Sequence, residues 1–149
     1  MNDEGGMTFP SPLVPTNLTK GEPHMDRDLK ERTKQFALRI IKLYLALPGR
    51  GLTQVLGTQI LKAGTSVGAH YREAQRAKSN PDFISKIEGA LQELEETVYW
   101  LELLSDSGVV VSKRLEGLRQ EAEELLSILV TIARKVKNRP KVTKNRLAH

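Results

Sequence analysis

Apolar residues recur at steps of three and four along most of this chain, and this spacing limits what the chain can fold into. Such steps bring apolar side chains to one side of an α-helix. Four segments have the pattern: Asp28–Leu47, Leu52–Lys78, Pro81–Ser105 and Lys113–Lys137. Short connections place successive helices side by side, so we predict an all-α fold, an antiparallel up-down-up-down four-helix bundle.

Turn-forming residues separate the four segments. Pro48-Gly49-Arg50-Gly51 ends the first, because proline cannot continue a helical hydrogen-bond ladder. Before the third segment, Asn80 is the predicted N-cap, Pro81 the first helical residue and Asp82 a favourable charge at the helix start. Before the fourth, Val109–Val111 is expected to pack as an apolar plug over the bundle end, with Ser112 as the cap.

The segments outside the bundle differ in composition. Residues 1–25 are rich in proline and glycine and lack periodicity, so we expect a disordered leader there, with the bundle at 26–139 and a basic tail at 140–149. No apolar run approaches the roughly 20 residues that cross a bilayer, and the first residues do not resemble a secretory signal. We expect a cytoplasmic protein with no membrane partner.

Charge is unevenly distributed along the 149 residues, whose formal net charge is +5. The third segment, Asp82 to Asp106, has a net charge of −6, and no acid follows Glu124. Uncompensated Lys and Arg clusters are the usual footprint of phosphate contacts. The predicted nucleic-acid-binding residues are Arg72, Arg76, Lys78, Lys135, Lys137, Arg139, Lys141, Lys144 and Arg146.

Two other interpretations of these charges stay open. Acidic and basic helices can complement each other within the bundle or between subunits, and a basic tail can simply be solvated. Arg72 and Arg76, four residues apart, share a helix face, and their mutual repulsion suggests an anionic partner. That partner is either a phosphate or the acidic third helix of a neighbouring subunit.

Residues for catalysis or metal binding are sparse. There are no cysteines, and the histidines are His24, His70 and His149. Glu93/Glu96 and Glu121/Glu124 have the spacing of metal-ligand pairs, but on helices this acidic we expect them to be solvated. No metalloprotease, phosphate-loop or nucleophile-elbow motif occurs. We therefore predict a protein that is not an enzyme and has no metal or cofactor.

The second segment contains Gly57, Gly64 and Gly68, although glycine weakens a helix by about 1 kcal/mol relative to alanine. Such positions allow close backbone approach, by a neighbouring helix, another subunit or a ligand. Tyr99 and Trp100 are adjacent and diverge by about 100° on a helix, so at most one lies centrally in its own bundle. The predicted oligomer interface comprises Gly64, Gly68, Tyr71, Tyr99 and Trp100.

Four parts of the sequence have a distinctive combination of residues: Phe36–Tyr44, Leu61–Ala74, Asp82-Phe83 with Lys86, and Glu96–Glu102. In these parts the chain resembles the bacterial four-helix-bundle family known as 23S rRNA intervening-sequence proteins. The resemblance covers about residues 30–137 and implies a homo-pentamer of antiparallel bundles. A more distantly similar protein, the accessory protein of diversity-generating retroelements, partners a reverse transcriptase and nucleic acid. The family often has Asn where this chain has His70.

Two hypotheses of function follow from the residues and the resemblance together. The first is a non-enzymatic homo-oligomeric bundle that binds RNA or DNA through its basic surface and tail. The alternative is a protein–protein adaptor or scaffold whose charged faces mediate assembly, such as an accessory subunit of a reverse transcriptase.

Overall fold

The computed structural model describes the backbone of residues 22–140 and the side chains from Asp28 onward. It contains α1 (Glu22–Ala46), α2 (Gly51–Gln75), α3 (Asn80–Asp106) and α4 (Ser112–Lys137), with no strand among the described residues. The predicted all-α, four-helix fold is confirmed. Helix α1 begins ahead of the expected boundary at residue 26. The rest of the predicted leader and the tail from residue 141 lie outside the described residues.

Each helix buries the apolar face that its spacing predicts. On α2 the apolar residues at steps of three and four are all buried: Leu56, Ile60, Ala63, Val67, Tyr71 and Ala74. On α4 the same spacing gives six buried residues, namely Leu115, Leu118, Ala122, Leu125, Leu129 and Val136, and one half-buried residue, Ile132. The largest side chains of this shared core are Tyr71 and Phe36, both essentially without exposed surface. At about 25 cal/mol per Å² of apolar area, such burial is the main stabilising contribution to the bundle.

The helices contact one another in a ring: α1 with α2, α2 with α3, α3 with α4, and α4 with α1. Contacts between α1 and α2 run in reverse order, since Gly57 lies against Tyr44 and Gly68 against Thr33. In the same way Glu73 of α2 pairs with Lys86 of α3, and Glu88 of α3 with Lys137 of α4. This is the order of contacts that antiparallel neighbours have.

Two predicted helix caps are wrong. Ser79, not Asn80, caps α3, because its hydroxyl accepts a hydrogen bond from the Asp82 backbone N–H at 3.1 Å. The capping oxygen must sit one residue ahead of the first helical turn, and Pro81 therefore falls within that turn. Ser112 is already the first residue of α4, and Val111 before it provides no side-chain cap.

The valine segment between α3 and α4 packs only in part as predicted. Val110 is half-buried against the core, and its N–H donates to the Leu104 carbonyl at 3.4 Å. Val109 and Val111 are exposed. The side chains of three consecutive residues in a connection cannot all point toward the same core. Of the three valines, Val110 is therefore the one that packs against the bundle.

The glycines of α2 face α1 of the same chain. A Cβ on Gly64 would lie 2.6 Å from Cγ1 of Ile40, and one on Gly68 would lie 3.2 Å from the Thr33 hydroxyl. Both glycines are buried, and Tyr71 is 1% exposed in the same core. These three residues have no surface to offer a second subunit, so their assignment to an oligomer interface is wrong.

Gly64→Ala is expected to destabilise the protein. The new methyl group would overlap three side-chain atoms of Ile40, a β-branched residue with little freedom to move. Overpacking of about 1–3 kcal/mol should exceed the gain of about 1 kcal/mol in helix propensity. Urea denaturation measures the change in the free energy of unfolding.

Gly117→Ala is the matched control. A Cβ there meets only the terminal nitrogen of the flexible Arg39 side chain, at 3.3 Å, so this substitution should be neutral or stabilising. Equal effects of the two substitutions would contradict the close approach of Ile40 as the reason for glycine at position 64.

Candidate nucleic-acid interface

Three of the predicted basic residues meet at one end of the bundle. An open groove of about 570 Å³ lies where α2 ends, α3 begins and α4 ends, and Lys78, Lys135 and Arg139 line it. These residues are far apart in sequence, and the helix order brings them together. None of the described residues that line this groove is acidic. We call this surface the basic end.

The groove combines cations with an apolar floor. Phe83, Ile132 and Val136 supply that floor, and all three belong to the core or pack against it. Gln75, Ser79 and Asn80 add polar groups at the edge. A charged rim over an apolar floor favours a ligand that has both an anionic and an apolar part.

The remaining predicted basic residues lie in several places. Arg72, in the last turn of α2, and Arg76, the residue that follows this helix, are exposed and lie outside the groove lining. Lys137 is exposed too, but its ammonium group lies 2.8 Å from the carboxylate of Glu88, so it serves the α3–α4 contact. Lys141, Lys144 and Arg146 lie outside the described residues.

Helix dipoles account for part of this basic charge. Arg134, Lys135 and Lys137 occupy the last turn of α4, and Arg72 the last turn of α2, where cations offset the partial negative charge of a helix end. Lys78 and Arg139 lie beyond the ends of those helices. These two charges therefore lie in the segments that follow the last helical turns.

Asp82 is the acid closest in sequence to Lys78, and its carboxylate is already engaged. Its Oδ2 accepts a hydrogen bond from the Lys78 backbone N–H at 3.2 Å, and the residue lies in the first turn of α3. The backbone contact fixes the connection between α2 and α3 without pairing the ammonium group of Lys78. The lysine head group is left at the surface of the basic end.

A second, smaller groove adjoins the basic end. It measures about 220 Å³ and lies between α1 and α4, with Leu29, Ile128 and Ile132 among its lining residues. Ile132 and Lys135 line both grooves. The two grooves therefore flank one short stretch of α4.

Tyr99 and Trp100 differ in environment as their spacing predicts. Tyr99 is 54% exposed, whereas Trp100 is half-buried against the core. Their ring centroids are 5.2 Å apart and the rings are tilted by 55°. Leu52 and Val55 of α2 are also more than half exposed.

His70 lies on the α2–α3 side of the bundle. It packs over Gly89, where a Cβ would come within 3.2 Å of its Nδ1. Glu73 lies 3.8 Å from that nitrogen and 3.5 Å from the ammonium group of Lys86. The residue takes part in helix packing, and no metal-binding cluster of His, Asp or Glu occurs among the described residues.

A buried ion pair between α1 and α4 was missed by the sequence analysis. The prediction that Glu121 is solvated is wrong: it is 5% exposed, and Arg32 donates to it from Nη2 and, at 3.3 Å, from Nε. Arg32 also reaches Glu124 at 3.0 Å. The sequence does indicate burial of Glu121, because this residue lies three positions after Leu118 and four before Leu125, within the apolar stripe.

The two arginines beside Glu121 have opposite pKa shifts. Burial lowers the pKa of Arg32, but the hydrogen bond and charge of Glu121, together with the charge of Asp28 and the hydrogen bond to Glu124, outweigh it, so that this pKa ends above its ordinary value. Burial lowers the pKa of Arg39, and the attraction of Glu121 offsets this only in part. Both guanidinium groups stay charged at neutral pH.

Glu121→Ala is expected to destabilise the protein by up to roughly 3 kcal/mol, because the partly buried guanidinium of Arg32 loses its buried partner and keeps only the more exposed Glu124. The double variant Arg32→Met/Glu121→Leu should recover most of that loss, since apolar side chains can replace a buried ion pair. Thermal and urea unfolding measure both effects.

Glu123→Ala, an exposed position on the same helix, is the control and should change stability by less than about 0.5 kcal/mol. A loss at Glu121 no larger than at Glu123 would contradict the role given to the ion pair.

These features define a small four-helix-bundle protein with one basic end. Among the described residues, no helix is both long and apolar enough to cross a membrane. The chain belongs to the 23S rRNA-intervening sequence protein family, whose model matches residues 25–131. The match ends before Lys135 and Arg139, so those two residues of the basic end lie beyond it.

A solved structure supports the same family. The chain is similar to a protein of unknown function from the S23 ribosomal protein family of Bacteroides thetaiotaomicron, whose crystal structure was determined at 1.70 Å resolution. The two share 38% sequence identity with a TM-score of 0.66, over 73% of this chain and 97% of the other. No curated protein matches this chain significantly.

Proposed function

We propose that this protein is a non-enzymatic, homo-oligomeric bundle that binds nucleic acid through its basic end. The observation that carries the proposal is the convergence of Lys78, Lys135 and Arg139 on one groove with no acidic residue in its described lining. Cations that the fold leaves unneutralised bind phosphates and release counterions. Arg72, in the last turn of α2, and Arg76, directly after that helix, are two further exposed cations.

RNA is the partner that the comparisons favour. The family is named for an intervening sequence of 23S rRNA, and the similar solved protein is assigned to a ribosomal protein family. Contacts from lysine and arginine heads to phosphates carry no sequence information by themselves. The proposed binding therefore depends on charge and backbone geometry, with no reading of base sequence by the rim.

Self-association is the second part of the proposal. Tyr99, Leu52 and Val55 expose apolar surface that a water-facing helix does not need. Large aromatic residues are enriched where subunits meet. The resemblance implies a pentamer, which would present several copies of the basic end to one polyanion and raise its avidity.

The rival function is a protein–protein adaptor, such as an accessory subunit of a reverse transcriptase. The exposed apolar residues favour it as much as they favour self-association. In that case Arg72 and Arg76 would pair with the acidic α3 of a neighbouring subunit. Reversing either charge would then change the oligomer mass while RNA binding stayed negligible.

Replacing Lys78, Lys135 and Arg139 by alanine is expected to weaken RNA binding and reduce its salt dependence. Each lost contact to single-stranded RNA should lower the slope of log K against log salt by about 0.7, or roughly two units in all. Fluorescence anisotropy with a labelled RNA at several salt concentrations measures the slope.

The matched control replaces Lys34, Lys42 and Lys62, which are exposed on α1 and α2 outside the groove lining, so that the net charge falls equally. If both triple variants lose the same affinity and slope, binding does not occur at the basic end.

Tyr99→Glu is expected to reduce the oligomer mass. If Tyr99 lies in the interface, association would remove the new carboxylate from water, and this desolvation is unfavourable. Light scattering coupled to size-exclusion chromatography measures the mass. Gln92→Glu adds the same charge at another exposed position of α3 and should leave the mass unchanged. A Tyr99→Glu protein of unchanged mass would exclude this residue from the interface.

A further inference from the structure

The groove at the basic end has more apolar floor than phosphate binding needs. A surface that only holds a nucleic-acid backbone requires exposed cations, and Lys78, Lys135 and Arg139 satisfy that need at the rim. Beneath them lie Phe83, Ile132 and Val136. A volume of about 570 Å³ falls within the roughly 300–1,000 Å³ of typical small-ligand sites. The floor therefore has room for a group that the rim does not contact.

A double helix cannot use this floor. Its bases are stacked and paired inside, so its outer surface offers phosphates, sugars and base edges but no flat base face. An unpaired nucleotide presents both chemistries at once, with a flat apolar base next to an anionic phosphate. Aromatic side chains bind such bases by stacking on them, without regard to their sequence.

We propose that the groove binds an unpaired nucleotide of single-stranded RNA, with the base against Phe83 and the flanking phosphates at Lys78, Lys135 and Arg139. The inference rests on the proposed function and makes it more specific, because it selects single strands over duplexes.

The adjoining groove between α1 and α4 fits a strand better than a free mononucleotide. Ile132 and Lys135 line both grooves, so a phosphate held at Lys135 has an apolar recess on either side of it. Leu29 and Ile128 line the smaller recess, and its lining also includes one acid, Asp28. A neighbouring nucleotide of the same strand can therefore place its base there.

The chain's own continuation is a poor occupant of the groove. The residues that follow Pro140 include Lys141, Lys144 and Arg146 and no acid, so they have the same charge as the rim. An acidic peptide matches the rim charge but offers no flat ring for Phe83. Charge and floor together favour the nucleotide.

Direct comparison of two RNAs tests the inference. The probes are a labelled 12-nucleotide single strand and the same strand annealed to its complement, titrated with the full chain at one salt concentration. We expect the single strand to bind roughly tenfold more tightly, as base–aromatic stacking predicts. Equal affinities for the two probes would overturn the inference.

Phe83→Leu keeps an apolar floor but removes the aromatic ring. It should weaken single-strand binding several-fold and leave duplex binding unchanged, with folding checked by circular dichroism. Because Phe83 also packs against the core, Ala77→Leu provides a second variant: Ala77 lines the groove at the end of α2, and a larger side chain there occupies the cavity. Tyr44→Leu, which removes an aromatic ring outside the groove lining, is the control and should keep the preference.

The outcomes separate this inference from the proposed function. Binding of both RNAs with a steep salt dependence but no single-strand preference would leave the basic end intact and overturn the nucleotide site. Absence of binding to either RNA would overturn both. An acidic peptide of equal net charge that binds as tightly as the single strand would also overturn the nucleotide site.

Discussion

Glu121 lies in a face of α4 that is otherwise apolar, and its carboxylate accepts hydrogen bonds from Arg32 of α1. Of the four neighbouring helix pairs, α1 and α4 share the least contact, so this ion pair has a large part in closing the ring. Sliding α4 along α1 would separate the buried carboxylate of Glu121 from Arg32, and an unpaired buried carboxylate costs several kcal/mol. The pair thus fixes the register of α4. That register sets where Lys135 and Arg139 stand relative to Lys78.

The two ends of the bundle expose different kinds of side chain. Helix α2 has 25 residues, so its ends lie about 36 Å apart. The basic end lies where α2 ends, and its cations surround a groove. Near the start of α2, Leu45, Leu52 and Val55 are among the most exposed apolar side chains. Val111, in the connection between α3 and α4, is exposed as well. A molecule with two such different ends is suited to an assembly in which one region contacts other copies of the chain and another region binds a polyanion.

The apolar periodicity was enough to predict the four helices, because a repeat of three and four sustained over some 25 residues fits no other regular secondary structure. Prediction was weaker where a single residue depends on its three-dimensional neighbours. Gly64 allows close approach, but the sequence could not say whether Ile40 or another subunit approaches. Glu121 resembled other surface glutamates until Arg32 was found beside it. The groove was beyond prediction because its lining joins residues near 78 to residues near 135, and only packing sets that distance.

Photo-crosslinking of a 4-thiouridine-labelled single-stranded RNA to the full chain, followed by mass spectrometry, tests the central claim most directly. It identifies which residues touch RNA without altering any of them. The account predicts crosslinks within residues 74–83 and 128–139, which contribute to the two adjoining grooves, and their loss at high salt. Crosslinks concentrated on the acidic face of α3 or at the connection between α1 and α2 would contradict it.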